Sequence, residues 1–298
     1  MSLHTGLDQI REPEMPFFSI GGIVGRSLWI VLWNFFPFIA MAIVLAIPLV
    51  ACAVLIALAG GNPGFSLEIG RAYVRFALRE SIDPVAGGFL ALLGLFTVLA
   101  PAAAYTQRAY QSMLGRAASF GNCIVKGVAA LPKLIVLGIL LVAAYGAIGW
   151  VIGDAFVAIA APDYGFGWTF IAALLSLAVY MFLFAIWWLA IPVLVIEWAG
   201  PFAALRRSWV LTQGRRWQIV AIWALLVLPN ALIQYLLTLI VPGGLGADTG
   251  QLVALAVDVA HALVAVLLYF TATVAAAIGY FHLVGEKEGI LALDRVFA

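Results

Sequence analysis

The sequence predicts an all-α fold, a polytopic membrane helix bundle with six transmembrane helices and three interfacial amphipathic helices. Hydrophobic residues make up 65% of the 298-residue chain and charged residues only 10%. Apolar runs of about twenty residues recur along it, and a helix of that length crosses the roughly 30 Å hydrocarbon core of a bilayer. A soluble domain rarely contains such runs because it needs a polar face for water.

The six apolar runs define the domain organisation. We place the spans at residues 36–59, 85–104, 134–152, 168–191, 217–241 and 259–283 of a single transmembrane domain covering 1–298. Residues 1–35 are then a cytoplasmic N-terminal segment with an interfacial helix, and residues 284–298 a cytoplasmic tail. Pro48, Pro192 and Pro229 each lack a backbone donor, and we expect a bend near each of them.

The distribution of basic residues predicts the orientation. Twelve of the fifteen Lys and Arg residues precede span one, lie between spans two and three or four and five, or follow span six. By the positive-inside rule both termini are cytoplasmic. The first eighteen residues include Asp8, Glu12 and Glu14 and no apolar core, so we expect no cleaved secretory signal. The expected location is a bacterial cytoplasmic membrane.

A weak repeat begins before each odd-numbered span, at residues 19–27, 119–127 and 200–208. Each copy carries a basic residue near its end, after several apolar residues. Such a segment suits a short helix in the headgroup layer, with basic side chains at lipid phosphates. The sequence therefore predicts three units, each a surface helix followed by a hairpin of two spans. The alternative, that basic juxtamembrane segments look alike by composition, stays open.

Several short motifs resemble a known family. They are Phe18-Ser-Ile-Gly-Gly, Asn34-Phe-Phe-Pro37, Ile191-Pro-Val-Leu-Val-Ile-Glu197, Gly200-Pro201, Ala204-Leu-Arg-Arg-Ser208-Trp209, Leu211-Thr-Gln-Gly214 and Tyr280-Phe-His-Leu-Val-Gly-Glu286-Lys-Glu288-Gly289. Together they resemble the glycerophosphoryl diester phosphodiesterase membrane-domain family and its uncharacterised six-span bacterial relatives. The resemblance implies the membrane region alone. The soluble phosphodiesterase domain that some members add needs His-Arg and Glu-x-Asp constellations, which this sequence lacks.

The most specific of these motifs predicts an ion pair. Glu197 leaves span four at the cytoplasmic face, and nine to ten residues later Arg206 and Arg207 begin the third surface helix. We predict that Glu197 pairs with Arg206 and orients the following span. Such a pair contributes only about 1 kcal/mol to stability at a partly solvated membrane interface. Alternatively these arginines, with Arg215 and Arg216, form a patch for anionic lipid.

A second basic group lies between spans one and two. Arg71, Arg75 and Arg79 recur every four residues, which places them on one face of a predicted amphipathic helix. They either snorkel around a helix lying on the outer membrane surface or bind an anionic headgroup or partner.

Ionisable and amide side chains also occur in spans five and six. Asp258 and His261 are three residues apart, and Asn230 and Gln234 are four apart, so each pair shares one helical face. The four residues form a candidate intramembrane polar site for transport. Alternatively, Asp258 and His261 are interfacial and the amides bridge the two helices.

These observations predict a noncatalytic integral membrane protein with a role in membrane-lipid or envelope homeostasis. The alternative is a small-solute or lipid transporter that uses the polar site between spans five and six. We expect no enzyme, because the sequence contains no nucleophile close to a base, no phosphate-binding glycine loop and no metal-ligand spacing. No cofactor and no nucleic acid is expected. Membrane lipids are the predicted partners, and a homo-oligomer or a membrane protein partner stays open.

Overall fold

Every regular element that the structure describes is an α-helix. The computed structural model describes residues 18–58, 84–114, 116, 119–159, 165–239 and 247–289. The helices are α1 (Ile20–Trp33), α2 (Phe35–Leu58), α3 (Pro84–Met113), α4 (Phe120–Ile159), α5 (Gly165–Trp187), α6 (Ala190–Ile196), α7 (Pro201–Thr212), α8 (Arg216–Leu239) and α9 (Ala247–Glu288). The predicted all-α fold is therefore confirmed.

Five segments in the described helices are long and apolar enough to cross a membrane. They are Phe35–Cys52, Phe120–Trp150, Leu174–Ile196, Arg216–Leu237 and Val259–Glu288, which match predicted spans one, three, four, five and six. Predicted span two falls in α3, whose 30 residues extend about 45 Å. Val142 and Leu228 are 69% and 66% exposed on outer faces of the bundle. Such faces suit lipid, so the chain is a multi-pass membrane protein.

The centre of the bundle is formed by α3, by α9 and by the short helix α6 at the end of predicted span four. α3, α6 and α9 contact one another pairwise, while α2, α4 and α8 each pack against one or two of them. The rings of Tyr110 on α3 and Tyr280 on α9 are both buried, with centroids 6.5 Å apart. The three units therefore meet at α3, α6 and α9.

The three repeat copies begin helices at equivalent positions. The carbonyls of Ser19, Ser119 and Gly200 each accept the amide four residues later, at 3.0, 3.1 and 2.8 Å. In every copy the residues four, eight, eleven and twelve positions after the start are buried. These residues are Ile23, Ser27, Ile30 and Val31, then Cys123, Gly127, Ala130 and Leu131, then Ala204, Ser208, Leu211 and Thr212. This shared burial pattern supports true repetition.

Each copy packs on the preceding unit. α4 approaches α3 at Gly127, where an added Cβ would lie 3.0 Å from the Ala100 oxygen and 3.3 Å from the Ala104 Cβ. α7 packs on α5 and α6, and α1 packs on α8 and α9 of the third unit. The N-terminal surface helix therefore closes the arrangement into a ring.

Only two of the three surface segments form separate helices. α1 ends at Asn34, which has φ −110° and ψ 20°, and α7 is followed by Gly214 with φ +80°. The second copy instead continues into span three as the 40-residue helix α4. Its residues 128–134 include neither glycine nor asparagine to leave the helical conformation, and Pro132 is accommodated inside the helix.

Span four was predicted as one run, and the structure divides it. α5 ends at Trp187 and α6 begins at Ala190. The cause is Pro192, because a proline ring clashes with the carbonyl four residues earlier, here that of Trp188. The helical path is interrupted at residues 188–189, close to the charged end of the bundle.

Candidate functional site

The interruption between α5 and α6 is stabilised by a side chain from α7. The Ser208 hydroxyl donates to the Ile186 carbonyl at 2.7 Å and accepts from the Leu189 amide at 3.2 Å. Ser208 is fully buried. A broken helix leaves backbone groups that water cannot reach in such a setting, so they need an internal partner. One hydroxyl therefore satisfies both sides of the break and fixes α7 against it.

The turn from α6 to α7 has a strained residue held by a lysine. Trp198 adopts φ 54°, an uncommon conformation for a bulky residue. Lys133 on α4 donates to the Trp198 carbonyl at 2.7 Å, and its ammonium lies 5.4 Å from the centre of the Trp198 ring. Pro201 then begins α7 at a position where a proline is favourable. These contacts direct α7 back across the bundle.

Glu197 forms an ion pair, but with a different arginine from the one predicted. Its Oε1 accepts from Arg207 Nε at 3.1 Å and from the Tyr280 hydroxyl at 2.8 Å. The expected partner, Arg206, is exposed. α7 buries Ala204 and Ser208, and residue 206 lies halfway between them in sequence and therefore on the opposite side of the helix. Residue 207 lies next to the buried face and reaches Glu197.

The C-terminal end of α9 completes this network. Arg207 donates to both carboxylate oxygens of Glu288, with Nη2 2.8 Å from Oε2, and Arg215 pairs with Glu286. Lys287 donates to two carbonyls at the end of α7, those of Val210 and Gln213, at 2.9 Å each. We call this network the charged clamp. It comprises Glu197, Arg207, Arg215, Tyr280, Glu286, Lys287 and Glu288.

The charged clamp joins two of the sequence motifs. One half comes from the motifs in residues 191–215 and the other from the tail motif at residues 280–289. The hydrogen bond with Glu288 raises the pKa of Arg207 above its ordinary value. Arg207 is therefore a permanent cation between two carboxylates. This geometry suits anchoring of α7 to α9.

Three of the four polar residues of spans five and six contact backbone carbonyls of the opposite helix. Asn230 Nδ2 donates to the Val264 carbonyl at 3.0 Å and Gln234 Nε2 to the His261 carbonyl at 3.1 Å. The His261 Nε2 lies 3.1 Å from the Gln234 carbonyl. These contacts bridge α8 to α9 through backbone groups. Asp258 lies in α9, and its side chain is outside the described residues.

The predicted lipid-contacting arginines separate into distinct environments. Arg71, Arg75 and Arg79 lie outside the described residues. Arg207 and Arg215 are paired with carboxylates of α6 and α9. Arg216 instead packs its guanidinium against the rings of Phe182 and Trp209, at 5.1 and 4.7 Å from their centres.

A cavity of about 440 Å³ lies beside the helix break, between α3, α4, α5, α6, α8 and α9. Six aromatic residues line it: Tyr145, Phe184, Trp187, Trp188, Trp223 and Tyr269. On α9 the lining extends from Ala265, which is exposed, to Ala276, which is buried. The cavity is therefore closed toward the charged clamp and open at the end farther from it.

The cavity wall presents little hydrogen-bonding capacity. Among the described residues, its lining includes neither an acidic nor a basic side chain. Three of the four hydroxyl groups already donate to backbone carbonyls: Thr106 to Ala102, Thr273 to Tyr269, and Tyr269 to Val98. An apolar pocket of this size suits an apolar ligand.

Sequence reasoning did not locate the cavity or the Tyr280–Glu197 contact. The cavity depends on side chains from six helices, and only the Trp187–Trp188 pair before Pro192 signals it. Within the described part of the chain, no three His, Cys, Asp or Glu residues are placed to hold a metal ion.

No protein-family model, curated protein or solved structure matches this chain.

Replacing Ser208 with Ala should destabilise the protein by about 1–3 kcal/mol, because the Leu189 amide and the Ile186 carbonyl lose a buried partner. Ser27 is the matched control, since it is equally buried at the equivalent repeat position but donates only to carbonyls of its own helix. S27A should cost less than about 1 kcal/mol. Unfolding of both variants in detergent measures the difference, and equal losses would contradict this role of Ser208.

Arg207→Gln should lower the free energy of unfolding by about 1–2 kcal/mol, since it removes two charge-assisted contacts that are partly screened by solvent. The neighbouring exposed Arg206→Gln is the control and should change it by less than about 0.5 kcal/mol. Thermal unfolding in the same detergent compares them. A larger loss of stability in R206Q than in R207Q would support the Glu197–Arg206 pair predicted from the sequence and contradict the Glu197–Arg207 pair.

Proposed function

We propose that this protein is a noncatalytic integral membrane protein that holds the hydrocarbon chain of a membrane lipid in the cavity beside the α5–α6 break. Such a protein serves in membrane-lipid or envelope homeostasis. The observation that carries this proposal is an apolar cavity of about 440 Å³ at membrane depth, walled by aromatic rings. Its charge-free lining favours a hydrocarbon chain over a polar solute.

The position of the cavity supports the same ligand. Its lining comes largely from predicted spans three to six, and its open end faces away from the charged clamp, where exposed side chains such as Leu174 and Leu263 are apolar. A lipid chain can enter from a surface of this kind without crossing water. A polar solute would have to leave its hydration shell for a wall with few free hydrogen-bonding groups.

The polar site of spans five and six gives weaker support to transport. Asn230, Gln234 and His261 all contact backbone groups of the opposite helix. Side chains used in this way stabilise helix packing, by about 0.6 kcal/mol on average in membrane proteins. We therefore assign these residues to the α8–α9 interface.

The proposal includes membership of the family that the motifs resemble, restricted to its membrane region. Its support is that the motifs at 191–214 and 280–289 contact each other through the charged clamp. We assign the protein to a bacterial cytoplasmic membrane with both termini in the cytoplasm, on the positive-inside distribution of basic residues.

Ala272→Phe should reduce lipid capture, because Ala272 lines the cavity and a phenyl ring would occupy it. The measurement is photocrosslinking to a phospholipid with a diazirine in its acyl chain, with the crosslinked peptides identified by mass spectrometry. We expect wild-type crosslinks on α5 and α9 residues around the cavity and their loss in A272F. Ala262→Phe is the control, since Ala262 is exposed on the same helix outside the cavity. Unchanged cavity crosslinks in A272F would refute lipid binding there.

Cysteine accessibility should report the orientation. In a variant lacking Cys52 and Cys123, Ala203→Cys on the exposed surface of α7 should react with a membrane-impermeant reagent only after cells are permeabilised. Gly244→Cys, between spans five and six, should react in intact cells. The opposite pattern would place the termini outside.

A further inference from the structure

Arg206 and Arg216 have no carboxylate partner among the described residues, and they differ in that Arg206 is exposed whereas part of the Arg216 guanidinium is buried. Arg207 and Arg215 are each paired with glutamates. The Arg216 Nε is buried and, within the same described ranges, has no hydrogen-bond partner. A buried donor without an acceptor costs free energy, and a guanidinium in particular favours an oxyanion with two acceptor oxygens.

A groove extends from Arg216 along the outer surface of the bundle. It has a volume of about 240 Å³ and lies between α5 and α8. Its other lining residues in the described part of the chain are Leu174, Leu177, Ala178, Met181, Phe182, Trp217 and Val220, so Arg216 is the one ionisable residue among them. Leu174 and Leu177 are about half exposed, which leaves the groove open to the surrounding lipid.

The groove has a polar end and an apolar end. Arg216 contacts Phe182, and Leu174 lies eight residues earlier on α5, about 12 Å along the helix axis. Arg216 is the first residue of the apolar segment Arg216–Leu237, a position that suits the headgroup level, and Leu174 would then lie deeper in the membrane. The rings of Phe182 and Trp209 hold the guanidinium in place.

We propose that this groove binds one anionic glycerophospholipid, with its phosphate on Arg216 and an acyl chain along α5 toward Leu174. A single cation at the end of an apolar groove complements an amphiphile with one negative charge and a hydrocarbon chain. The first turn of α8 contains no acidic side chain, and the positive end of the helix dipole therefore adds to the attraction. The groove and the cavity share no lining residue, so the two sites are tested separately.

Native mass spectrometry of the full-length protein with added phosphatidylglycerol or phosphatidylcholine of identical chains tests this site. The wild type should retain phosphatidylglycerol in preference to phosphatidylcholine. Arg216→Gln should weaken phosphatidylglycerol retention about fivefold, which corresponds to about 1 kcal/mol for one basic residue at the surface. It should leave phosphatidylcholine retention unchanged, and Arg216→Lys should restore much of the preference.

Two control variants separate the phosphate contact from other effects. Arg206→Gln removes an exposed cation of the same motif outside the groove and should leave the preference intact. Ala178→Trp fills the groove without changing the charge and should reduce retention of both lipids. Equal effects of R216Q and R206Q, or an equal loss of both lipids in R216Q, would overturn the proposal. Unaltered retention in A178W would also overturn it, whatever the result of the Ala272→Phe crosslinking.

Discussion

The arrangement of helices around the candidate site depends on hydrogen bonds to the free backbone groups at the α5–α6 break. Pro192 forces the interruption, and its surroundings exclude water, so Ile186 and Leu189 need hydrogen-bond partners from the protein. Ser208 supplies both contacts. Because Ser208 lies on α7, satisfying the break fixes the position of the whole surface helix. The residue next to it, Arg207, then reaches Glu197 at the end of α6.

The charged clamp extends this constraint to the last helix. Tyr280 and Glu288 of α9 reach Glu197 and Arg207, while Lys287 binds carbonyls at the end of α7. Three helices are thus joined at one end of the bundle by polar contacts, and the cavity lies directly below them. Trp188, in the break itself, forms part of the cavity wall and lies so close to Gly279 that an added Cβ there would be 2.7 Å from its ring.

Hydropathy and charge were enough to predict the all-α membrane fold, because a segment that crosses lipid needs apolar side chains and must form its backbone hydrogen bonds within itself. The repeat was visible as a composition pattern, and its burial pattern at Ser27, Gly127 and Ser208 appeared only in three dimensions. The correct partner of Glu197 could not be chosen from the spacing, since residues 206 and 207 are equally near in sequence. Which of the two arginines reaches Glu197 depends on the side of α7 on which each lies, relative to the buried residues Ala204 and Ser208. The sequence predicted a bend near Pro192 but not a division of the span into two helices, because hydropathy does not register the clash between the proline ring and the Trp188 carbonyl.

The cavity and the groove both have mainly apolar walls, although they share no lining residue. Most hydroxyl groups of the cavity are bonded to backbone carbonyls and the charge of the groove is concentrated at one end, so both walls suit a hydrocarbon chain. Three hydroxyl groups of the cavity wall donate to the carbonyls of Val98, Ala102 and Tyr269, which favours the proposed apolar ligand over a polar one. The groove has Arg216 at its end, with an Nε that has no partner among the described residues, which favours the proposed anionic headgroup. The proposed binding of an apolar chain at one site and of an anionic headgroup at the other requires no proton transfer by either wall. A membrane-lipid role therefore agrees better with this wall chemistry than ion or solute transport does.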